Sequence, residues 1–211
     1  MDGKIEEPLW LPIARELQAV AQTGLTYARD PFDRERYRAV QGAASKLLAQ
    51  GFAIEPLATL GALENLSGYP TAQVDVRGTV FRGSQVLLVQ EKSDGRWSLP
   101  GGWADVNLTP AENVAKEVEE EAGLKVAVRK LAAVYDRSRH GYHPPQPRYV
   151  YKMYFLCGDP GGAPRPGVET KDAAFFELDA LPSLSIGRVI AAHIRETYAH
   201  HLDPGLPTAF D

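Results

Sequence analysis

The sequence predicts an α+β fold in which two helices cover a mixed β-sheet, preceded by a small all-helical region. Apolar residues recur at helical spacing through the first third of the chain, until Ser67-Gly68-Tyr69-Pro70 interrupts the pattern. From Ala72 onward, short apolar runs bounded by glycine and proline predict strands, and two helical stretches interrupt them. We therefore predict a helical N-terminal domain at 1–70 and an α+β domain at 71–211.

The N-terminal region predicts three amphipathic helices, at 9–24, 31–51 and 56–66. Gly24 is expected to end the first helix, and Asp30, followed by proline, to cap the second. A core of about 70 residues is marginal by itself, and most oligomers are two-fold dimers. We therefore predict a homodimer in which this region supplies much of the interface. The side chains to be covered are Leu9, Ile13, Leu17, Tyr37, Leu47 and Leu60.

Charge and composition exclude several classes of protein. Residues 1–70 carry seven Lys or Arg against nine Asp or Glu, and the whole chain has a net charge of −4, which opposes nucleic-acid binding except at an exposed RNA end. No apolar run is long enough to span a membrane, and MDGKIEEP lacks the apolar core of a secretion signal. The single cysteine, Cys157, excludes an intrachain disulfide, fits a cytoplasmic location and is expected to be a buried thiol.

The second region predicts a sheet with loops at 136–148 and 158–167. In its first strand, valines alternate with Asp75, Arg77 and Thr79, which predicts one polar face. This strand runs from Ala72 to the turn at Gly83, and further strands are expected at 86–91, 126–135, 149–156 and 173–178. The stretch at 97–99 leads into the glycines at 101 and 102, and a final helix is expected at 186–200.

The stretch GGWADVNLTPAENVAKEVEEEAGL, at 101–124, predicts a glycine loop followed by one helix. Thr109 and Glu112 have the spacing of a capping box, Pro110 suits the first helical position, and Gly123 suits the residue that ends the helix. One face is apolar, and another carries three carboxylates at i, i+3 and i+4: Glu117, Glu120 and Glu121.

Three carboxylates on one helix face repel one another, and a bound cation would turn that repulsion into attraction. Carboxylate oxygens suit Mg²⁺ or Mn²⁺, which also bind substrate phosphates. The glycines at 101 and 102 allow the backbone to approach a ligand closely. A solvated acidic helix face is the alternative interpretation of the same three residues.

The segment resembles the Nudix box, G-x5-E-x7-R-E-U-x-E-E-x-G-U, in which U is aliphatic. Leu108 stands where the pattern has Glu, and Lys116 stands where it has Arg. The flanking stretches VDVRGTVF, LLVQEKSDGRWSLPGGWADVNL and ETKDAAFFELDALP resemble Nudix hydrolases with a helical N-terminal extension, a subgroup that includes CDP-choline and ADP-ribose pyrophosphatases. The matching box positions are Gly102, Glu117, Val118, Glu120, Glu121, Gly123 and Leu124.

The resemblance implies a three-layer α/β/α sandwich and a metal-dependent pyrophosphohydrolase. Glu117 and Glu121 are then the first metal ligands and Glu120 a third. The backbone carbonyl of Gly101 or Gly102 is a further candidate ligand.

Two more charged residues are candidates for catalysis. Lys116 takes the place of the family's Arg, which orients the neighbouring carboxylate; pairing with Glu112 or Glu120 on the surface is its alternative role. Glu169 lies six residues before Phe175, in a loop that leads into a strand, where related enzymes place a general base. An ordinary loop glutamate is the alternative interpretation.

The candidate substrate-binding residues are Arg77, Arg96, His140, Tyr142 and His143. Arg77, on the polar strand face, is placed to meet a phosphate, and Arg96 just precedes the glycine loop. The other three belong to an aromatic, weakly basic loop that could hold a base or a headgroup. Solvated loop side chains are the alternative interpretation of this group.

The predicted reaction is Mg²⁺- or Mn²⁺-dependent hydrolysis of a nucleoside diphosphate linked to a group X, giving a nucleoside monophosphate and phosphorylated X. The resemblance favours substrates of the CDP-choline or ADP-ribose type. Two alternatives stay open: the processing of RNA ends, and a catalytically silent nucleotide-binding regulatory module. The departures at Leu108 and Lys116 favour the silent module, whereas the three retained glutamates oppose it.

Overall fold

The computed structural model describes residues 7–53 and 67–211. The described chain divides into two compact units: residues 7–53 and 67–72 together with Pro145–Tyr149 form one, and Gln73–Pro144 with Val150–Asp211 form the other. The helix predicted at 56–66 lies outside the described residues. In the part of the chain that is described, no helix is long and apolar enough to cross a membrane.

The helical unit contains α1 (Trp10–Tyr27) and α2 (Pro31–Phe52). As predicted, the Asp30 side chain caps α2 by accepting hydrogen bonds from the N–H groups of the second and third helical residues. The prediction that Gly24 ends the first helix is wrong, because α1 continues three residues further. A Cβ at Gly24 would lie 2.3 Å from the Tyr37 ring, so this glycine lets the two helices approach each other.

The apolar surface of α1 is only partly covered within its own unit. Leu11 and Ala14 are buried with Leu48 of α2 in a small core. In contrast, Leu9 is 78% exposed and Val20 is 50% exposed. Much of the predicted apolar stripe therefore faces away from α2.

The second unit is built on a seven-stranded mixed sheet with the order β3-β2-β1-β5-β4-β7, in which β6 also pairs with β2. Strand β1 pairs in parallel with β5 and antiparallel with β2, so it joins the two halves of the sheet. The strands β3 and β7 were not predicted, since two residues are too few for a periodic signal. The strands are β1 (Gln73–Arg82), β2 (Gln85–Glu91), β3 (Trp97–Ser98), β4 (Val128–Asp136), β5 (Val150–Cys157), β6 (Thr170–Glu177) and β7 (Ala209–Phe210).

Two helices, α3 (Pro110–Ala122) and α4 (Ala191–Leu202), cover this sheet, and a 3₁₀ turn at Arg137–Arg139 follows β4. Buried α3 side chains share a core with alternate residues of β1 and β2, whereas α4 shares a core with the intervening residues. Because successive strand side chains point to opposite faces, the two helices lie on opposite sides of the sheet. The predicted α+β sandwich is confirmed.

Two smaller expectations have different outcomes. Cys157 is a buried free thiol, as predicted, and burial raises its pKa to about 12, so it is unreactive at neutral pH. The final helix begins at Ala191 and not at residue 186, because the preceding segment forms a turn in which Arg188 and Val189 donate to the Ser185 carbonyl.

Candidate active site

The glycine loop is fixed along β1 by backbone hydrogen bonds. The Gly78 N–H donates to the Pro100 carbonyl at 2.9 Å, and the Val76 N–H donates to the Gly102 carbonyl at 2.8 Å. Gly101 has φ +140°, and a Cβ there would lie 2.1 Å from the Val76 carbonyl oxygen, so only glycine fits. The Gly102 carbonyl, one of the two candidate backbone ligands, keeps one lone pair for another partner.

The helix after this loop forms as the sequence predicts. Thr109 and Glu112 make a reciprocal capping box, Pro110 begins α3, and Gly123 ends it with φ 68°. The amide of Asn113, which is buried, then binds the loop: its Oδ1 accepts from the Asp105 N–H at 2.7 Å. These contacts fix the carboxylate face of α3 beside the glycines.

Two of the three predicted ligand carboxylates converge on the glycine loop. Glu121 is only 7% exposed, and its Oε2 accepts a 2.9 Å hydrogen bond from the Gly101 N–H. Glu117 is partly buried, and a Cβ on Gly102 would lie 3.3 Å from its Oε1. Glu120 is exposed and pairs with Lys116 at 3.1 Å. The sequence grouped all three, but the structure places only Glu117 and Glu121 against the loop.

Both converging carboxylates have perturbed proton affinities. Burial, with added repulsion from Glu117 and Glu91, raises the pKa of Glu121 to about 7, despite the Gly101 hydrogen bond and the Arg77 charge. Burial also raises the pKa of Glu117, and the charges of Glu120 and Glu169 add to that effect. Carboxylates held together in this way favour a cation between them.

The donor set at the loop suits a hard divalent cation. No three His, Cys, Asp or Glu side chains in residues 7–53 and 67–211 form a closed metal cluster. Mg²⁺ is usually held by one or two carboxylates together with waters and substrate phosphates, and so does not need such a cluster. Two carboxylates meet this requirement: Glu117 faces the space that a side chain at residue 102 would fill, and Glu121 accepts from the Gly101 N–H.

Lys116 contacts two carboxylates. Its Nζ lies 3.1 Å from Asp105 Oδ2 and 3.1 Å from Glu120 Oε2. The hydrogen bond that Lys116 donates to Asp105 is the leading cause that raises the pKa of Lys116. The alternative pairing with Glu120 is therefore present, whereas Glu112 is engaged in the capping box. The Asp105 contact was not predicted, since an aspartate in a loop carries no periodic signal.

Glu169, the candidate base, is exposed and immediately precedes β6. The next residue, Thr170, donates its Oγ1 hydrogen to the Glu121 carbonyl at 2.8 Å and ties this segment to α3. The negative charge of Glu169 contributes to raising the pKa of Glu117. The structure therefore brings Glu169 to the same region as the two loop-facing carboxylates.

The two candidate substrate arginines lie in different surroundings. Arg77 is buried, with Nε and Nη2 donating to Asp75 at 2.9 and 2.8 Å, and Nη1 donating to the Leu99 carbonyl at 3.1 Å. The polar face predicted for β1 is thus inside the protein, and Arg77 supports the glycine loop from behind. Arg96 is exposed in the turn between β2 and β3, where its N–H donates to Asp94.

The loop histidines and tyrosine do not form one open surface. The Tyr142 hydroxyl is buried against the Tyr154 hydroxyl and lies 2.8 Å from His193 Nδ1. His140 lies between His193 Nε2, at 3.2 Å, and Asp211, at 2.8 Å. Only His143 has an exposed side chain. The partners come from β5, α4 and the end of the described chain, so no local pattern could have indicated this network.

Two buried charged residues near the site were also missed. Lys152 is 1% exposed, with its Nζ 2.6 Å from Asp75 Oδ1, and burial lowers its pKa to about 7. Glu91 accepts from Ser98 Oγ at 2.8 Å and lies 3.1 Å from Arg188 Nε. Glu91 ends the strand two residues after the apolar run at 86–89, which was the available signal, whereas Lys152 lies inside an apolar strand.

Comparison with known proteins is consistent with this architecture. The NUDIX domain family matches residues 71–197, and the family described as "UDP-X-like, N-terminal oligomerisation domain" matches residues 8–56. The Bacillus subtilis protein named "Putative ADP-ribose pyrophosphatase YjhB" is 40% identical over 202 residues, which cover 96% of this chain and 97% of that protein.

Two crystal structures are also similar. An ADP-ribose pyrophosphatase from Streptococcus suis is 40% identical with a TM-score of 0.60, over 67% of this chain and all (100%) of that one. A UDP-X diphosphatase is 32% identical with a TM-score of 0.61, over 96% of this chain and 98% of that one. The chain therefore belongs to the Nudix hydrolase family and is a pyrophosphohydrolase.

Proposed function

We propose that the protein hydrolyses the pyrophosphate bond of a nucleoside diphosphate linked to X, using Mg²⁺ or Mn²⁺. The convergence of Glu117 and Glu121 on the side-chain-free Gly101-Gly102 loop is the observation that carries this proposal. The cation, when bound, would offset phosphate charge and activate water. Glu117 and Glu121 would hold it, with Glu120 as the outer carboxylate.

The remaining steps use groups of the chain itself. Water attacks one phosphorus, the bridging P–O bond breaks, and the products are a nucleoside monophosphate and phosphorylated X. Glu169, on the exposed segment before β6, takes the proton that the water loses. Arg77 donates to the Leu99 carbonyl and so keeps the glycine loop in place while the bridging P–O bond breaks.

ADP-ribose is the first substrate to test. Two relatives that align with nearly the whole chain are named as a putative ADP-ribose pyrophosphatase and a UDP-X diphosphatase. CDP-choline, a member of the same chemical class, is the second. Arg96 and His143, both exposed, are the predicted substrate contacts that remain accessible. His140 and Tyr142 would act indirectly, by shaping the loop that carries them.

The decisive experiment is product analysis on a panel of ADP-ribose, a UDP-sugar, CDP-choline and a 5′-capped RNA. We expect release of nucleoside monophosphate in Mg²⁺ or Mn²⁺, abolished by EDTA and restored by added metal. Turnover that persists in EDTA would contradict the metal assignment. Turnover of the capped RNA alone would support the RNA-end alternative instead.

We also propose that the protein is a homodimer through its N-terminal helices. Leu9, Ile13 and Val20 expose apolar surface on α1, and a groove in the same unit is lined by residues that include Tyr27 and Tyr37. A second copy is the proposed occupant, because residues 8–56 match a family described as an oligomerisation domain.

Light scattering on the full chain tests this arrangement. We expect a dimer mass at micromolar concentration, and a monomer for the variant Leu9→Glu/Val20→Glu, since charges on an apolar interface are costly to bury. As a matched control, Leu202→Glu adds a charge at an exposed leucine of α4 and is expected to stay dimeric. A monomeric wild-type protein would refute the proposal.

A further inference from the structure

We propose that Asp105 is a positioning residue that holds Lys116 in place. It supplies a carboxylate next to the box, which Leu108, at the position where the Nudix pattern has Glu, cannot supply. This inference rests on the proposed metal-dependent function. Leu108 is 38% exposed and has no group that could pair with a cation. Asp105 lies three residues earlier, and its carboxylate reaches the Lys116 ammonium at 3.1 Å.

The backbone of Asp105 is held by hydrogen bonds that are separate from this side-chain contact. The buried Asn113 accepts from the Asp105 N–H at 2.7 Å and donates to the Asp105 carbonyl at 3.3 Å. The same amide donates to the carbonyls of Leu108, at 3.3 Å, and Thr109, at 3.2 Å. Because Asn113 belongs to the first turn of α3 and Lys116 to the next, the loop and the lysine are held by one helix.

The consequence is a lysine shared between two carboxylates. Its ammonium lies between Asp105 and Glu120. The residue that directly follows Lys116 in sequence is the metal-ligand candidate Glu117. Without Asp105, the ammonium keeps one of its two ion-pair partners, Glu120, and is less fixed in position. Its charge already acts on Glu117, and closer to that carboxylate it would oppose a divalent cation. Asp105 thus keeps a positive charge close to the site without letting it occupy the site.

The test is Mn²⁺ affinity, measured by electron paramagnetic resonance without substrate, together with kcat and KM. We expect Asp105→Asn to weaken Mn²⁺ binding and lower kcat by about twofold to fivefold with little change in KM, the range of an exposed ion pair. Asp105→Glu should retain most of the wild-type affinity. Asp159→Asn is the matched control, since it removes another surface partner, 2.8 Å from Arg82, away from the box.

Two further variants separate positioning from a general loss of negative charge. In a Lys116→Met background, Asp105→Asn should have no additional effect, because Asp105 acts through that lysine. Leu108→Glu, placed in the Asp105→Asn variant, should restore Mn²⁺ affinity by returning the carboxylate to the family position. Leu108→Glu alone should raise activity by less than tenfold, because the lysine already has its partner.

Additive effects of Asp105→Asn and Lys116→Met, or an unchanged affinity in Asp105→Asn, would overturn the inference, as would a wild-type protein that binds no Mn²⁺. The outcome is separable from that of the proposed function. If Mn²⁺ affinity responds as expected while no substrate of the panel is cleaved, the positioning role holds and the substrate assignment fails.

Discussion

Replacing Glu121 with Gln is expected to lower turnover at least about a hundredfold while stabilising the metal-free protein at neutral pH. Turnover falls because Glu121 is a proposed direct metal ligand. Removing even the residues that hydrogen-bond to metal ligands lowers metal affinity or activity by about 10- to 100-fold. The gain follows because burial of this carboxylate raises its pKa to about 7, so that its ionisation opposes folding.

The pH dependence has a definite sign. Below pH 4.5, Glu121 is protonated in both the folded and the unfolded chain and costs nothing. Between pH 4.5 and about 7, the unfolded chain ionises first and stability falls. At about 1.4 kcal/mol per pKa unit, the loss above pH 7 is about 3 kcal/mol. Glu121→Gln removes this penalty, and the glutamine oxygen can still accept from Gly101.

Urea unfolding in EDTA at pH 5 and pH 8 measures this effect. The difference in the free energy of unfolding between variant and wild type should be larger at pH 8 than at pH 5. Glu119→Gln on the same helix, which removes an exposed carboxylate paired with Lys125 at 3.3 Å, should change neither turnover nor the pH dependence. An equal difference at both pH values would show that Glu121 is not held in a disfavoured ionised state.

Asp75→Asn is expected to destabilise the protein by about 3–5 kcal/mol, because it leaves the buried Arg77 guanidinium and the buried Lys152 amine without their carboxylate. Burial alone would raise the pKa of Asp75, but the charges of Arg77 and Lys152 outweigh it and lower the value to about 2. Asp75 accepts from Arg77 at 2.9 and 2.8 Å and from Lys152 at 2.6 Å.

Urea unfolding at neutral pH measures this cost, with Asp159→Asn as the exposed control, for which at most about 1 kcal/mol is expected. Adding Lys152→Met to Asp75→Asn should recover part of the lost stability, since one buried polar group that has lost its partner is then removed. A cost below about 1 kcal/mol for Asp75→Asn would mean that water reaches Arg77 and Lys152.

The sequence by itself determined the local elements whose signals lie within a few residues of each other. The box helix, from its Thr109 cap to its Gly123 end, depends on contacts at i+3 and on a glycine conformation, and both are local. The strands and the mixed sheet followed from alternation and turn residues. The Nudix family could be identified because its box is continuous in sequence.

Tertiary structure decided how charges are used, because contacts between distant segments leave no periodic pattern. Lys152 lies inside an apolar strand, yet it meets Asp75 across the parallel pairing of β1 and β5. The sequence placed Tyr142 in a loop, whereas in the structure it is buried and its hydroxyl contacts His193 of α4. Lys116 contacts its second partner, Asp105, because Asn113 binds the loop to the helix. Neither residue propensity nor residue spacing predicts a hydrogen bond from a buried amide to a residue eight positions away.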